Sequence, residues 1–344
     1  MNALSVLHVY RTYFPDPPGG LQEAIRQIAV STLPQGIISR IFVLSPNPVP
    51  MVLNRPEGEV VRSRSWAAPA SCDLGGATAF LRYAELACCA DVIHYHFPWP
   101  FADVLHLAVR PKVPAVMTYH SDVVRQSLLG AVYAPLRRRM LRSMRCIVAT
   151  SPAYARTSPV LSDPCIRDRV RVIPLGIDEL SYPNQGDDSI LQRLGLTRSE
   201  PFVLFVGVLR YYKGLHTLVQ AAQGLKAKVV IAGSGPEGAN LMEQTRQGGA
   251  TQVVFAGQVT DAEKVSLLKH CRALVLPSHL RSEAYGMVLV EAAMSGKPTI
   301  SCEIGTGTSF VNADGQTGFV VPPEDPVALH EAMQRLLSDD MLTN

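Results

Sequence analysis

The sequence predicts an α/β protein of two doubly wound, Rossmann-like parallel sheets, each covered by helices on both faces. Three observations predict it. The chain has 344 residues, 47% apolar and 18% charged, enough for about two domains at roughly 150 residues each and too apolar for global disorder. Short apolar runs alternate with stretches whose apolar residues recur at helical spacing, as successive βα units require. That alternation ends near residue 180 and begins again.

The elements follow in order. Ser5–Tyr10 is a short apolar run of the kind a buried strand presents. Pro15-Asp16-Pro17-Pro18-Gly19-Gly20 reads as a loop, and Leu21–Leu33 as a helix. Ile41–Leu44, Val92–Tyr95, Ala115–Thr118 and Cys146–Thr150 read as further strands with helices between them. Val172–Asp178 closes this series, and a polar stretch runs through Pro201. Phe202–Gly207 opens the second series, followed at βα spacing by Lys228–Ala232, Gln252–Ala256, Ala273–Leu276 and Pro298–Ser301. The domains are therefore expected over residues 1–177 and 178–344, with a cleft between them. Ligands of such sheets bind beyond the carboxyl ends of the strands, which directs attention to the loops there.

Charge and cysteine content narrow the class. The net charge is +3, but residues 1–180 hold 19 Lys and Arg against 13 Asp and Glu, a net +6, and residues 181–344 hold 13 against 16, a net −3. The basic half suits an anionic surface or substrate. No stretch reaches the roughly 18 consecutive apolar residues of a membrane span. Met1–Tyr10 carries no Lys or Arg ahead of its apolar run and no small-residue cleavage site, so it does not read as a signal peptide. The seven Cys form no CxxC and no regular framework. They are expected as small core residues in a reducing cytoplasm.

Several constellations bear chemistry. Gly233-Ser234-Gly235-Pro236-Glu237-Gly238 is a literal G-x-G-x-x-G between a strand and a helix. A nicotinamide site also needs an acid at the end of the next strand, and Val254-Phe255-Ala256-Gly257-Gln258 has none, so a tight βα turn is favoured. Arg210 and Lys213 follow directly on the strongest strand of the second half. There they read as counterions for a diphosphate, or as ordinary solvated loop residues. A helix is expected from Gly286 to Ser295. Its first residues, Gly286, Met287 and Val288, offer free N–H groups to a diphosphate, with Glu283 just ahead and Glu291 inside. The bland alternative is a capping Glu283 and a structural, buried Glu291, whose carboxylate then needs a bonded partner.

In the first half, Gly19-Gly20 precedes a helix and lets backbone approach a phosphate, or simply makes a turn. His94, His96 and His120 stand at strand ends. No Cys or acid completes a metal set with them, so no metal is expected, and His120 reads as a hydrogen-bonding or acid/base group on a polar wall. Leu136–Arg145 holds Arg137, Arg138, Arg139, Arg142 and Arg145 among Leu and Met. That pattern fits either contact with anionic lipid or a solvated helix face. Nucleic acid is not expected, because no recognition motif or aromatic platform accompanies the charge.

Taken together, these residues resemble the retaining glycosyltransferases of family 4. Glu283 and Glu291 match that family's acid–seven residues–acid motif, and Arg210 and Lys213 its basic pair, although Val208-Leu209 interrupt the usual Gly-Arg wording. Gly19-Gly20 resembles its glycine loop, His120 its cleft histidine, and Gly315–Pro322 and Val172–Asp178 its segment endings. Gly207–Gly214 and Glu303–Ser309 look like the bacterial O-antigen branch that uses GDP-mannose or GDP-rhamnose.

The resemblance implies a two-domain GT-B fold, with an acceptor-side first domain and a donor-binding second. It implies hexose transfer from a nucleotide-diphosphate sugar to a lipid-linked saccharide at the cytoplasmic membrane face, with retention and with neither metal nor cofactor. It further implies that Arg210 and Lys213 bind the donor diphosphate, Glu291 the ribose, Glu283 and His120 the donor sugar, and Gly20 the phosphates. Family members continue past the helix at Ala328–Leu337 into a helix that crosses back onto the first domain, whereas this chain stops at Asn344. Domain closure is therefore a point to test. The rival readings are a nucleotide-sugar epimerase or hydrolase of the same fold, and a non-catalytic nucleotide-sugar-binding protein.

Overall fold

The computed structural model describes residues 3–16, 19–69, 72–122 and 127–339. The Pro17-Pro18 pair of the first loop and the chain end at Asn344 lie outside them. The chain divides into two compact units, Met1–Gly176 and Ile177–Asn344.

In the first unit β1 (Leu4–Val9) leads through α1 (Gly20–Thr32) to β2 (Ile37–Ser45), β3 (Val52–Arg55), β4 (Gly58–Ala67) and β5 (Leu74–Gly75). Then come α2 (Ala77–Cys88), β6 (Val92–Phe97), α3 (Pro100–Val109), β7 (Ala115–Tyr119), α4 (Ser127–Ser143), β8 (Cys146–Ala149), α5 (Pro152–Thr157) and β9 (Val170–Val172). The strand order is β3-β4-β2-β1-β6-β7-β8-β9, with β5 on β4. β1 pairs in parallel with both β2 and β6, which makes the β1/β6 boundary the point where the winding reverses.

One edge departs from the all-parallel expectation. β3 and β5 both run antiparallel to β4. The Arg55-Pro56-Glu57-Gly58 turn reverses the chain into this hairpin. Exposed and half-buried residues near the ends of β4 dilute its apolar signal, and only Val60–Ser63 is buried.

The second unit holds α6 (Ser189–Arg193), β10 (Phe202–Val206), α7 (Leu215–Ala221), β11 (Lys228–Ala232), α8 (Gly238–Gln247), β12 (Val253–Gly257) and α9 (Asp261–His270). It continues with β13 (Ala273–Leu276), α10 (Met287–Met294), β14 (Thr299–Cys302), α11 (Thr308–Val311), β15 (Gly318–Val321) and α12 (Pro326–Ser338). Its sheet runs β12-β11-β10-β13-β14-β15 and is parallel throughout. Such strands are covered on both faces, so they are nearly all apolar. Phe202, Val203, Leu204 and Phe205 are fully buried, each side chain contributing about 1.5–3 kcal/mol. Thr260 and Glu263 close a reciprocal capping box at the start of α9.

Two expectations need revision or restatement. Only Cys271 and Cys302 are buried, whereas Cys88, Cys89 and Cys165 are exposed. The exposed three lie at the end of α2 and in the loop before β9, where no core is available to them. Among the described residues no helix is long and apolar enough to cross a membrane.

Candidate active site

In the second sheet the winding reverses between β10 and β13. The loops leaving their carboxyl ends are Gly207–Gly214 and Pro277–Gly286. The Gly207–Gly214 loop is fastened by the turn after β11. Leu209 N–H donates to Ser234 O at 3.0 Å, and Glu237 N–H donates to Leu209 O at 3.1 Å. Gly233 has φ +134°, and a Cβ there would collide with the carbonyl oxygen of Gly207. The literal G-x-G-x-x-G is thus a packing turn that seats the neighbouring loop.

The same loop is fastened on its other side. Gly214 has φ +67°, and a Cβ there would strike Pro277 O. His279 N–H donates to Tyr212 O at 3.0 Å. This apposition brings Lys213 Nζ into a hydrogen-bonded ion pair with Glu283 Oε2, their side chains only 12% and 11% exposed. Ser278 Oγ donates to the same carboxylate oxygen at 3.4 Å, and Thr306 Oγ1 donates to Glu283 O at 2.8 Å. Burial, the largest single effect, lowers the Lys213 ammonium; the Glu283 charge and hydrogen bond together with Tyr212 outweigh it, and the net shift is upward. Arg210 shares this loop and is half-buried. Among the described residues its guanidinium makes no hydrogen bond or ion pair.

Glu291 lies in α10 and is 5% exposed. Its Oε1 accepts from Lys264 Nζ at 2.9 Å and from Tyr182 OH at 2.5 Å. The sequence reading demanded such a partner without finding it, because nothing in the linear order ranks Lys264 of α9 above any other Lys. At the start of α10 the first intrahelical bond is Leu289 N–H to Gly286 O at 2.9 Å. The N–H groups of Met287 and Val288 therefore have no helical partner.

In the first unit Gly19 is the N-cap of α1 and makes no side-chain cap bond. A Cβ on it would lie 2.7 Å from Gln22 Oε1. His120 follows β7, is 7% exposed, and its N–H donates to Phe97 O at 3.0 Å. It joins a row of buried imidazoles. His96 Nδ1 lies 3.0 Å from His120 Nε2, and His8 Nδ1 lies 3.1 Å from His96 Nε2. His94 Nε2 lies 2.7 Å from Thr118 Oγ1. Burial holds all four neutral, pushing His94 down to about 4 and His120 to about 3.

His8 escaped the sequence reading because it sits within a strand that reads as plain core. The nitrogens of His8, His94 and His96 come within 4.8 Å of one another. His94 and His96 nevertheless stack at 4.4 Å with 27° between ring planes. Their in-plane lone pairs run side by side and do not converge as metal ligands must.

The arginine run occupies the last turns of α4, with Arg145 just beyond its end. Met140, Leu141 and Met144 are buried against the unit, while Arg138, Arg139, Arg142 and Arg145 are exposed. The exposed side chains of the run are charged, and Val132 earlier in α4 is also exposed. Arg138 pairs with Asp163 at 3.9 Å. A groove of about 600 Å³, lined by Arg110, Arg139, Arg145 and Arg169, opens at the amino ends of β7 and β8, opposite the edge that bears His120.

Two doubly wound sheets with charged and glycine-rich loops at their carboxyl edges form an architecture that binds ligands beyond the strand ends. The comparisons specify it. Residues 18–179 match the family described as Glycosyltransferase Family 4, and residues 187–344 match Glycosyl transferases group 1. The chain is 41% identical over 341 residues to O-antigen chain mannosyltransferase C of Escherichia coli, covering 99% of this chain and 91% of that one. It is 46% identical over 336 residues to D-rhamnosyltransferase WbpZ of Pseudomonas aeruginosa, covering 97% and 86%. Sucrose-phosphate synthase from Thermosynechococcus elongatus superposes with a TM-score of 0.76 at 23% identity, covering 99% of this chain and 91% of that one. Anabaena HepE in complex with UDP and glucose gives 0.77 at 18%, with the same coverages. The fold is GT-B, and the chain belongs to the family 4 glycosyltransferases.

Proposed function

We propose that this glycosyltransferase moves mannose or rhamnose from a GDP-sugar to a lipid-linked or growing saccharide in O-antigen synthesis, with retention at the reacting carbon. Support for the sugar and the pathway comes from the two relatives, whose names specify O-antigen mannosyl and D-rhamnosyl transfer. The observation that carries the chemistry is the Lys213–Glu283 pair at the switch point of the second sheet.

Negative charge grows on the leaving diphosphate as the bond to the sugar lengthens, and fixed cations stabilise it. Arg210 and Lys213 supply that charge. The N–H groups at Gly286, Met287 and Val288 bind the phosphates, and Glu291 holds the ribose hydroxyls. Glu283 neutralises Lys213 and accepts from hydroxyls of the donor sugar. From the first unit, Gly19 and Gly20 contact phosphate and His120 contacts the sugar. The acceptor hydroxyl attacks on the face the diphosphate leaves, and the departing phosphate oxygen takes its proton. No protein side chain becomes covalently bound. Exposed arginines of α4 hold the enzyme against anionic lipid at the cytoplasmic face of the membrane.

The test incubates the purified chain with GDP-mannose, GDP-rhamnose or UDP-glucose, with and without a diphosphate-linked lipid saccharide. Acceptor-dependent transfer from a GDP-sugar with unchanged anomeric configuration is expected. Donor consumption that ignores the acceptor would indicate an epimerase or hydrolase, and an inverted product would reject the retaining step.

A further inference from the structure

One face of the first sheet carries a polar seam. Ser39 of β2, His8 of β1, His96 of β6 and His120 beyond β7 come from four strands adjacent in the sheet. Their side chains join end to end. Ser39 Oγ lies 3.4 Å from His8 Nε2, His8 Nδ1 lies 3.1 Å from His96 Nε2, and His96 Nδ1 lies 3.0 Å from His120 Nε2. Ser39, His8 and His96 are 2%, 1% and 1% exposed. Apolar side chains would fill this space without the desolvation cost, so the seam calls for a functional reason.

A neutral imidazole has one N–H and one bare nitrogen. Three linked neutral rings therefore have two senses. Either every Nε2 carries the proton and the row donates toward Ser39, or every Nδ1 carries it and the row donates toward His120. Ser39 decides between them. Among the described residues its hydroxyl makes no other hydrogen bond. Were it the acceptor, its own O–H would be a buried donor with nothing to meet. As the donor it leaves only a lone pair unmet, which costs less.

We propose that Ser39, His8 and His96 are positioning residues that fix His120 as its Nδ1–H tautomer, so that the nitrogen it presents to the donor sugar is a hydrogen-bond donor and not a base. This rests on the reading of His120 as a donor-sugar contact. His120 then binds a sugar oxygen and leaves the acceptor proton to the departing phosphate.

Long-range ¹H–¹⁵N spectra of the histidine-labelled full chain without donor report which ring nitrogen carries each proton. Nδ1–H is expected for His8, His96 and His120. Ser39→Asp places an acceptor where the row now finds a donor, so the row should reverse, raising the Nε2–H population of His120 and lowering kcat about fivefold, the scale of one hydrogen bond in the transition state, with little change in donor KM. Ser39→Thr should keep both readouts.

Nε2–H on His120 in the unaltered chain overturns the proposal, and so does a tautomer that Ser39→Asp does not move. Tautomers that respond as expected while His120→Ala transfers at full rate would instead overturn the donor-sugar role of His120.

Discussion

Lys264 Nζ of α9 lies 2.9 Å from Glu291 Oε1 of α10, and the same ammonium sits 4.9 Å from the centroid of the Tyr182 ring. Tyr182 OH donates to the oxygen that Lys264 holds. The carboxylate is thereby bonded on one oxygen. Among the described residues Oε2 makes no hydrogen bond, and under the proposed function it is the atom that would accept from a ligand hydroxyl.

Lys264→Met should leave Glu291 buried without its countercharge and cost about 3 kcal/mol in denaturant unfolding. Donor KM should rise about tenfold with kcat held within about threefold. Tyr182→Phe removes one hydrogen bond and should cost about 1 kcal/mol. Steady-state kinetics with both variants would refute the assignment if KM stayed at the wild-type value.

Glu283→Gln should reduce kcat at least about a hundredfold, the scale on which loss of a fixed transition-state contact is felt. Lys213 is raised in the folded chain above its ordinary 10.5. A raised cation stabilises fully below about 10.5, and the contribution disappears as pH climbs through the folded-state value. The alkaline fall of Tm should therefore begin at lower pH in Glu283→Gln than in the unaltered chain. Coincident alkaline limbs would contradict the pairing.

Gly233→Ala places a methyl against the Gly207 carbonyl at a φ that side chains rarely adopt. Strain and overpacking together should cost about 2–4 kcal/mol. Because Gly207 opens the loop that carries Arg210 and Lys213, diphosphate affinity should fall as well. Isothermal titration with GDP reads the second effect, and undiminished GDP affinity would show the two loops to be independent.

The histidine seam predicts acid lability. His94 and His120 stand near 4 and 3 when folded against an ordinary 6.5, and His8 and His96 are also held far down. The unfolded chain takes up these protons first. The stability is present above about 6.5 and declines as pH falls toward 4, by up to about 1.4 kcal/mol per pH unit for each ring. Urea unfolding of His94→Phe across this window should show a slope shallower by about one such contribution. An unchanged slope would place that proton uptake elsewhere.

Arg139→Glu with Arg145→Glu should at least halve co-sedimentation with vesicles containing anionic lipid while leaving Tm within about 2 °C, since both side chains are exposed. Equal sedimentation would take the α4 face out of any membrane role.

The sequence was most readable where burial is two-sided. Phe202–Val206 and Val229–Ala232 are unbroken apolar runs because helices cover both faces, and they appear in β10 and β11 nearly as read. The β3–β4–β5 edge was opaque because half-exposed strands mix polar with apolar residues. Glu283 and Glu291 stand out in the sequence as candidates through their spacing on one helix and its approach. Their pairings do not, since Lys213 lies 70 positions from Glu283 and Tyr182 lies 109 from Glu291, and only tertiary packing joins them. His8 was hidden for a like reason. A lone histidine inside an apolar strand gains meaning only when neighbouring strands set His96 beside it.

Gly233 against Gly207 and Gly214 against Pro277 have a consequence for the loop held between them. The stretch bearing both cations takes its shape when the sheet forms, so its loss of backbone freedom is charged to folding. Under the proposed function an incoming donor would meet a cradle already cast, and association would give up little of its contact energy to ordering this loop.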